Sequence, residues 1–169
     1  MLELGKAGSA GTEKGVLPVL RDGAVAATLR ASSWKEAATA VVGDREWVFA
    51  KHKRELSARW AADPEDAVRL RAWQKSFWSG TWAAELDGAT VDVQSGSWWR
   101  GTRRYLINGQ QVAESGTTGG WSPRSTLTAE PGFPLDHQVF LLWVELVITR
   151  RNNAAVGVAA GAAVIGGSS

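Results

Sequence analysis

From Val16 to about Leu127 the chain alternates short apolar runs with turn residues. The runs AVAATLR (24–30), EWVFAKH (46–52), LSARWAA (56–62) and AVRLRAW (67–73) have strand length and partial period-two alternation. So do TWAAELD (81–87), ATVDVQS (89–95), RRYLING (103–109) and QQVAESG (110–116). Asp22-Gly23, Asp87-Gly88 and Asn108-Gly109 are dipeptides that favour two-residue hairpin turns, because both central positions tolerate positive φ. Gly43-Asp44 is a softer signal of the same kind. The Ala-rich KEAATAVV (35–42) passes for helix on propensity alone, but its place between turns predicts a strand. About ten to twelve strands at this spacing predict a barrel or a sandwich.

The segment FPLDHQVFLLWVELVITRR (133–151) behaves differently. Pro134 and Asp136 suit a helix start, where a carboxylate meets free N–H groups and the positive end of the dipole. Arg150 and Arg151 suit its end. Between them VFLLWVELVI (139–148) is apolar on every face except for Glu145, which predicts burial on every face. A membrane span needs about 20 apolar residues, and extending this run would draw both arginines towards mid-membrane. The expected solution is a helix threaded through the barrel, with Val139, Leu142, Trp143, Leu146 and Val147 in the core. Inside such a core Glu145 needs a partner, and an arginine is the expected one.

Arg21–Trp47 aligns without gaps to Leu86–Val112. The Asp-Gly-Ala turns coincide, Ser32, Trp34 and Lys35 face Ser97, Trp99 and Arg100, and the second turns coincide again. Two similar half-sheets of one barrel are expected from this, and closure removes exposed edges. The expected fold is mainly β: a closed barrel of about twelve antiparallel strands around a hydrophobic C-terminal central helix. Residues 1–14 read as a flexible arm, 15–151 as the single domain with its helix at 134–151, and 152–169 as a flexible Ala/Gly-rich tail.

A barrel of this kind around an apolar C-terminal helix resembles the tubby C-terminal-like superfamily, which includes tubby proteins, phospholipid scramblases and LURP-one-related proteins. The resemblance covers about Val16 to Arg151 and rests on architecture, Trp-bearing strands and the 133–151 segment. It implies a membrane-facing or phosphoinositide-linked role. The acidic calcium segment of scramblases has no counterpart near Pro131–Asp136, and the tubby phosphoinositide pocket has no residue-by-residue match, so neither activity carries over.

Composition narrows the chemistry. A net charge of only +2 argues against general nucleic-acid binding. Without cysteine there is neither disulfide nor thiolate chemistry. His52 and His137 have no ligand-spaced partner, so no zinc site is expected. GKAGSAG (5–11) lacks the ending of a phosphate loop and no strand is expected before it. No catalytic residue and no cofactor is expected. Met1–Gly15 has no apolar core of signal-peptide length, so the expected location is the cytoplasm, with peripheral membrane association. The ten tryptophans suggest a Trp-rich core. Two clusters mix cations and aromatics: Lys51, Lys53 and Arg54, and SWWRGTRRYLI (97–107) with Trp99, Arg100, Arg103 and Arg104. Arginine pairs phosphate bidentately and tryptophan suits a lipid interface. These residues are the candidates for contact with an anionic membrane surface, or with a membrane-associated protein. A small-ligand-binding barrel or enzyme is the alternative, and a protein–protein scaffold a third reading.

Overall fold

The computed structural model describes residues 1–97 and 99–165, with side chains as far as residue 158. Trp98 of the second cluster and residues 166–169 of the expected tail lie outside the described residues. Twelve strands and one helix follow in chain order: β1 (Leu2–Leu4), β2 (Leu17–Arg21), β3 (Ala24–Ala31), β4 (Ala37–Val42), β5 (Arg45–His52), β6 (Glu55–Trp60), β7 (Leu70–Gln74), β8 (Trp82–Leu86), β9 (Ala89–Ser95), β10 (Arg103–Ile107), β11 (Gln110–Thr117), β12 (Ser125–Ala129) and α1 (Leu135–Ile165). The strands form a closed barrel in which each pairs antiparallel with its chain neighbours, and β1 closes the ring between β2 and β12. The expected architecture is the observed one.

The hairpins follow from their turn residues. Asp22, Asp87 and Asn108 have φ of 51°, 47° and 51°, and the glycine after each is also at positive φ. That pair of conformations matches the twist of the flanking strands.

The internal repeat is structural. β2, β3, β4 and β5 recur as β8, β9, β10 and β11 with a constant offset: 17–21 becomes 82–86, and 45–52 becomes 110–117. The offset places the two units six strands apart, on opposite sides of the ring. β6 then corresponds to β12. The place of β7 in the second half is taken by β1, the strand that follows β12 around the barrel.

Residues expected to be a flexible N-terminal arm are therefore partly barrel wall. Leu2 is fully buried and Leu4 nearly so. The Gly5 N–H donates to the Pro18 carbonyl at 2.7 Å. This strand escapes a sequence reading because it is three residues long and shows too few positions to establish alternation.

Helix α1 fills the barrel. Val139 through Val144, together with Val147 and Ile148, are buried, while Leu146 packs against the same core only half-buried. Phe49 on the wall meets Phe140 and Trp143 on the helix at ring-centroid distances of 5.5 and 5.2 Å. The helix does not stop at Arg151 as expected but continues to Ile165. Ala is the strongest helix former and no proline interrupts 152–165, so the backbone continues the helix after burial has ended. Among the described residues no helix is long and apolar enough to cross a membrane. The outer wall carries exposed charges such as Arg30, Glu46, Asp92, Arg104 and Glu114. That is the reverse of a lipid-facing barrel wall, which is apolar outside.

Candidate functional site

Because every strand pair is antiparallel, successive connections alternate between the two ends of the barrel. Helix α1 enters at one end and leaves at the other. The entry rim holds connections 22–23, 43–44, 61–69, 87–88, 108–109 and 130–134. The exit rim holds 5–16, 32–36, 53–54, 75–81, 96–102 and 118–124.

Charge is sorted between these rims. Three exit-rim loops carry Lys6, Lys14, Lys35, Lys53 and Arg54, and the other three add Lys75, Arg100 and Arg124. They contain two carboxylates, Glu13 and Glu36. The entry-rim connections carry Asp22, Asp44, Asp63, Glu65, Asp66, Asp87 and Glu130 against one cation, Arg69. The helix repeats the sense, with Asp136 near the entry rim and Arg150 and Arg151 at the exit.

The exit mouth is built around one carboxylate. Arg151 donates from Nε and Nη2 to the two oxygens of Glu36, each at 2.6 Å, and Lys51 Nζ lies 3.5 Å away. The Arg151 hydrogen bond, helped by the Arg151 and Lys51 charges, holds the Glu36 carboxyl below its ordinary value of 4.5 although burial opposes the shift. Arg150 donates to the Ser32 carbonyl at 2.7 Å, so the helix is tied twice to the β3–β4 loop. Beside it Lys51, Lys53, Arg54, Lys75, Phe77 and Arg151 line a shallow cationic pocket. Lys53 holds φ at 55°, uncommon for a residue with a side chain, and the turn sets two cations side by side.

The structure separates the sequence candidates by role. Lys53, Arg54, Trp99 and Arg100 lie on exit-rim loops and are exposed, and Lys51 is on the adjoining end of β5. Among the described residues Lys35, Lys53, Arg54 and Arg100 have no carboxylate within ion-pair reach, which leaves them free for an external anion. Arg104 is exposed on β10, on the outer wall. Arg103 turns inward, its Nη1 donating to Glu145 Oε2 at 2.7 Å. Tyr105 donates its hydroxyl to the other oxygen of Glu145. Burial, together with the Glu145 carboxylate, pushes the Tyr105 hydroxyl well above the usual phenol value. Arg103 therefore serves the barrel interior as the partner expected for Glu145.

Sequence reasoning found Trp99 but missed the other aromatics of this rim. A Trp-rich core is only partly what forms: Trp47, Trp82 and Trp143 are buried, but Trp34, Trp78, Trp99 and Trp121 are exposed on exit-rim loops, with Phe77 beside them. The available signal was the Ser-x-Trp-basic element shared by Ser32–Lys35 and Ser97–Arg100, which occupies equivalent loops of the two halves.

Other readings find no support in the geometry. His52 lies at the exit rim and His137 at the entry rim, where its Nε2 is 2.9 Å from Asp87 Oδ2. Among the described residues no group of three His, Cys, Asp or Glu side chains could hold a metal ion. GKAGSAG does follow a strand, contrary to expectation, but leads into β2 rather than a helix, so no helix N-terminus completes a phosphate cradle. Compared with known protein families, with curated proteins and with solved structures, the chain matches none.

Proposed function

We propose that this chain is a non-catalytic binding module that engages anionic lipid head groups at a membrane surface. The observation that carries the reading is the sorting of charge: one end of the barrel is cationic, the other acidic, although the net charge is only +2. A surface of one sign orients such a molecule and attracts it over roughly a Debye length, about 10 Å at 0.1 M salt. Each Lys or Arg near an anionic leaflet contributes about 1 kcal/mol. Lys35, Lys53, Arg54 and Arg100 together supply about 4 kcal/mol at low salt on that basis. The filled interior disfavours the alternative of a ligand inside the barrel, because Phe140, Leu141, Leu142 and Trp143 occupy the space it needs. The same architecture underlies the resemblance to the tubby C-terminal-like superfamily, and a membrane-linked role is what that resemblance implies. A membrane-associated protein with an acidic face is the second partner class that the cationic rim fits.

Co-sedimentation with vesicles tests this. The protein is expected to pellet with phosphatidylcholine vesicles that contain phosphatidylserine, less so as salt rises, and not with phosphatidylcholine alone. The fourfold change Lys35→Glu, Lys53→Glu, Arg54→Glu and Arg100→Glu is expected to abolish binding. Neutralising Asp22, Asp44, Glu65 and Asp66 at the other rim is expected to leave it intact. Absence of pelleting at low salt would overturn the lipid reading.

A further inference from the structure

The charged rim explains attraction to a surface, but not the apolar groups that share it. Trp34, Phe77, Trp78, Trp99 and Trp121 are 89, 83, 94, 72 and 106 % exposed. All five stand on exit-rim loops, in four of the six connections spaced around that mouth. No ring at the entry rim is exposed among the described residues. Rings exposed to this extent contribute little to folding, and their segregation to one end calls for a reason outside the fold. Indole sits well where one side is apolar and the other wet, which is the head-group layer of a bilayer.

The helix identifies the partner further. Past Arg151 it continues beyond the mouth, and residues 152–158 are exposed, with Val156 and Val158 at 69 and 75 %. Ala154–Ile165 carries no charge. As a helix those residues extend about 18 Å, against about 15 Å for one leaflet's share of a 30 Å hydrocarbon core. A rod of that length at the mouth obstructs a flat protein surface from reaching aromatics on four separate loops. A fluid leaflet admits the rod and meets all four loops at once. Arg150 and Arg151 lie where the rod leaves the barrel.

We propose that the exit rim is an end-on membrane-docking face. The aromatic crown seats among the head groups of an anionic leaflet, the uncharged extension of α1 enters the acyl layer without spanning the bilayer, and the barrel axis stands along the membrane normal. This rests on the anionic-surface reading above and adds to it an orientation and an apolar contact.

The absence of cysteine makes a direct test simple. Single-cysteine variants Val158→Cys, Trp121→Cys and Asn108→Cys of the full chain are labelled with an environment-sensitive fluorophore. Each is mixed with phosphatidylcholine–phosphatidylserine vesicles. Labels at 158 and 121 are expected to shift to the blue, and acyl-chain quenchers to reach 158 more strongly than 121. The label at 108, on the entry rim, is expected to stay in water. A crown variant with Trp34→Ser, Trp78→Ser, Trp99→Ser and Trp121→Ser is expected to melt like the parent and to bind about tenfold more weakly or worse at the same salt. Vesicle binding with 158 and 121 still in water, or with 108 shifted, would overturn end-on docking and leave charge-driven adsorption standing. Full affinity in the crown variant would do the same. Failure of the parent to bind at low salt would remove both.

Discussion

Glu145 is an acid in the middle of an apolar helix, and its two hydrogen bonds explain how the barrel tolerates it. Arg103 and Tyr105 lie on one strand, β10, so the pair fixes the rotation and depth of α1 relative to that strand. Arg103→Met removes the one cation paired with Glu145 among the described residues and leaves a buried carboxylate, which is expected to cost about 3–5 kcal/mol in denaturant unfolding. Combining it with Tyr105→Phe and Glu145→Leu is expected to recover most of that loss, because the triad then leaves no unpaired side-chain polar group at this point of the core. A triple variant no more stable than Arg103→Met would show that packing, not charge, sets the loss. Glu36 acts at the surface end of the same helix. Its folded pKa is depressed, so its contribution is fully present above 4.5 and is lost as pH falls through the lower folded value. The parent is expected to lose melting temperature more steeply than Glu36→Gln over that acid range, with the two curves converging at the bottom. Parallel curves would mean that the Arg151 pair contributes nothing.

Helix α1 does for the barrel what a core does for a sandwich. Trp143 is 1 % exposed and touches both Phe49 and Phe140, so Trp143→Ala is expected to cost about 3–5 kcal/mol of a total near 5–15. Removing residues from Pro134 onward is expected to leave no cooperative melt, whereas removing only Ala154 onward, a stretch that begins with the exposed side chains of 154–158, is expected to leave the melt unchanged. A sharp transition from residues 1–132 alone would show that the wall folds empty. Elements with strong local chemistry were legible in the sequence: the Asp-Gly and Asn-Gly hairpins, and the helix that is apolar all round. β1 was not, because its reason to be a strand lies in two distant edges, β2 and β12. The overrun of α1 was hidden as well, since Ala and Gly together read as a tail while Ala alone favours helix.

The barrel is a doubled object whose two ends differ in charge. Composition conceals this: a near-neutral total is the sum of a cationic mouth and an acidic one, and only strand order reveals which loops share a mouth. The basic clusters of the candidate site were visible as residues, yet their union with Trp34, Phe77, Trp78 and Trp121 depends on the ring closing. Arg103 shows the opposite error, a cation counted in the cluster from sequence that the strand directs inwards to Glu145.

The closing position of β1 also governs timing. It is made before the other eleven strands yet pairs with β12, 125 residues later in register at Leu2 and Leu127, and the helix that fills the ring is made later still. Pairings so far apart in sequence slow folding and leave apolar strands open while synthesis proceeds. A ribosome making this chain therefore carries an unclosed, unfilled sheet until α1 has emerged, and that interval is when chaperones have most to hold.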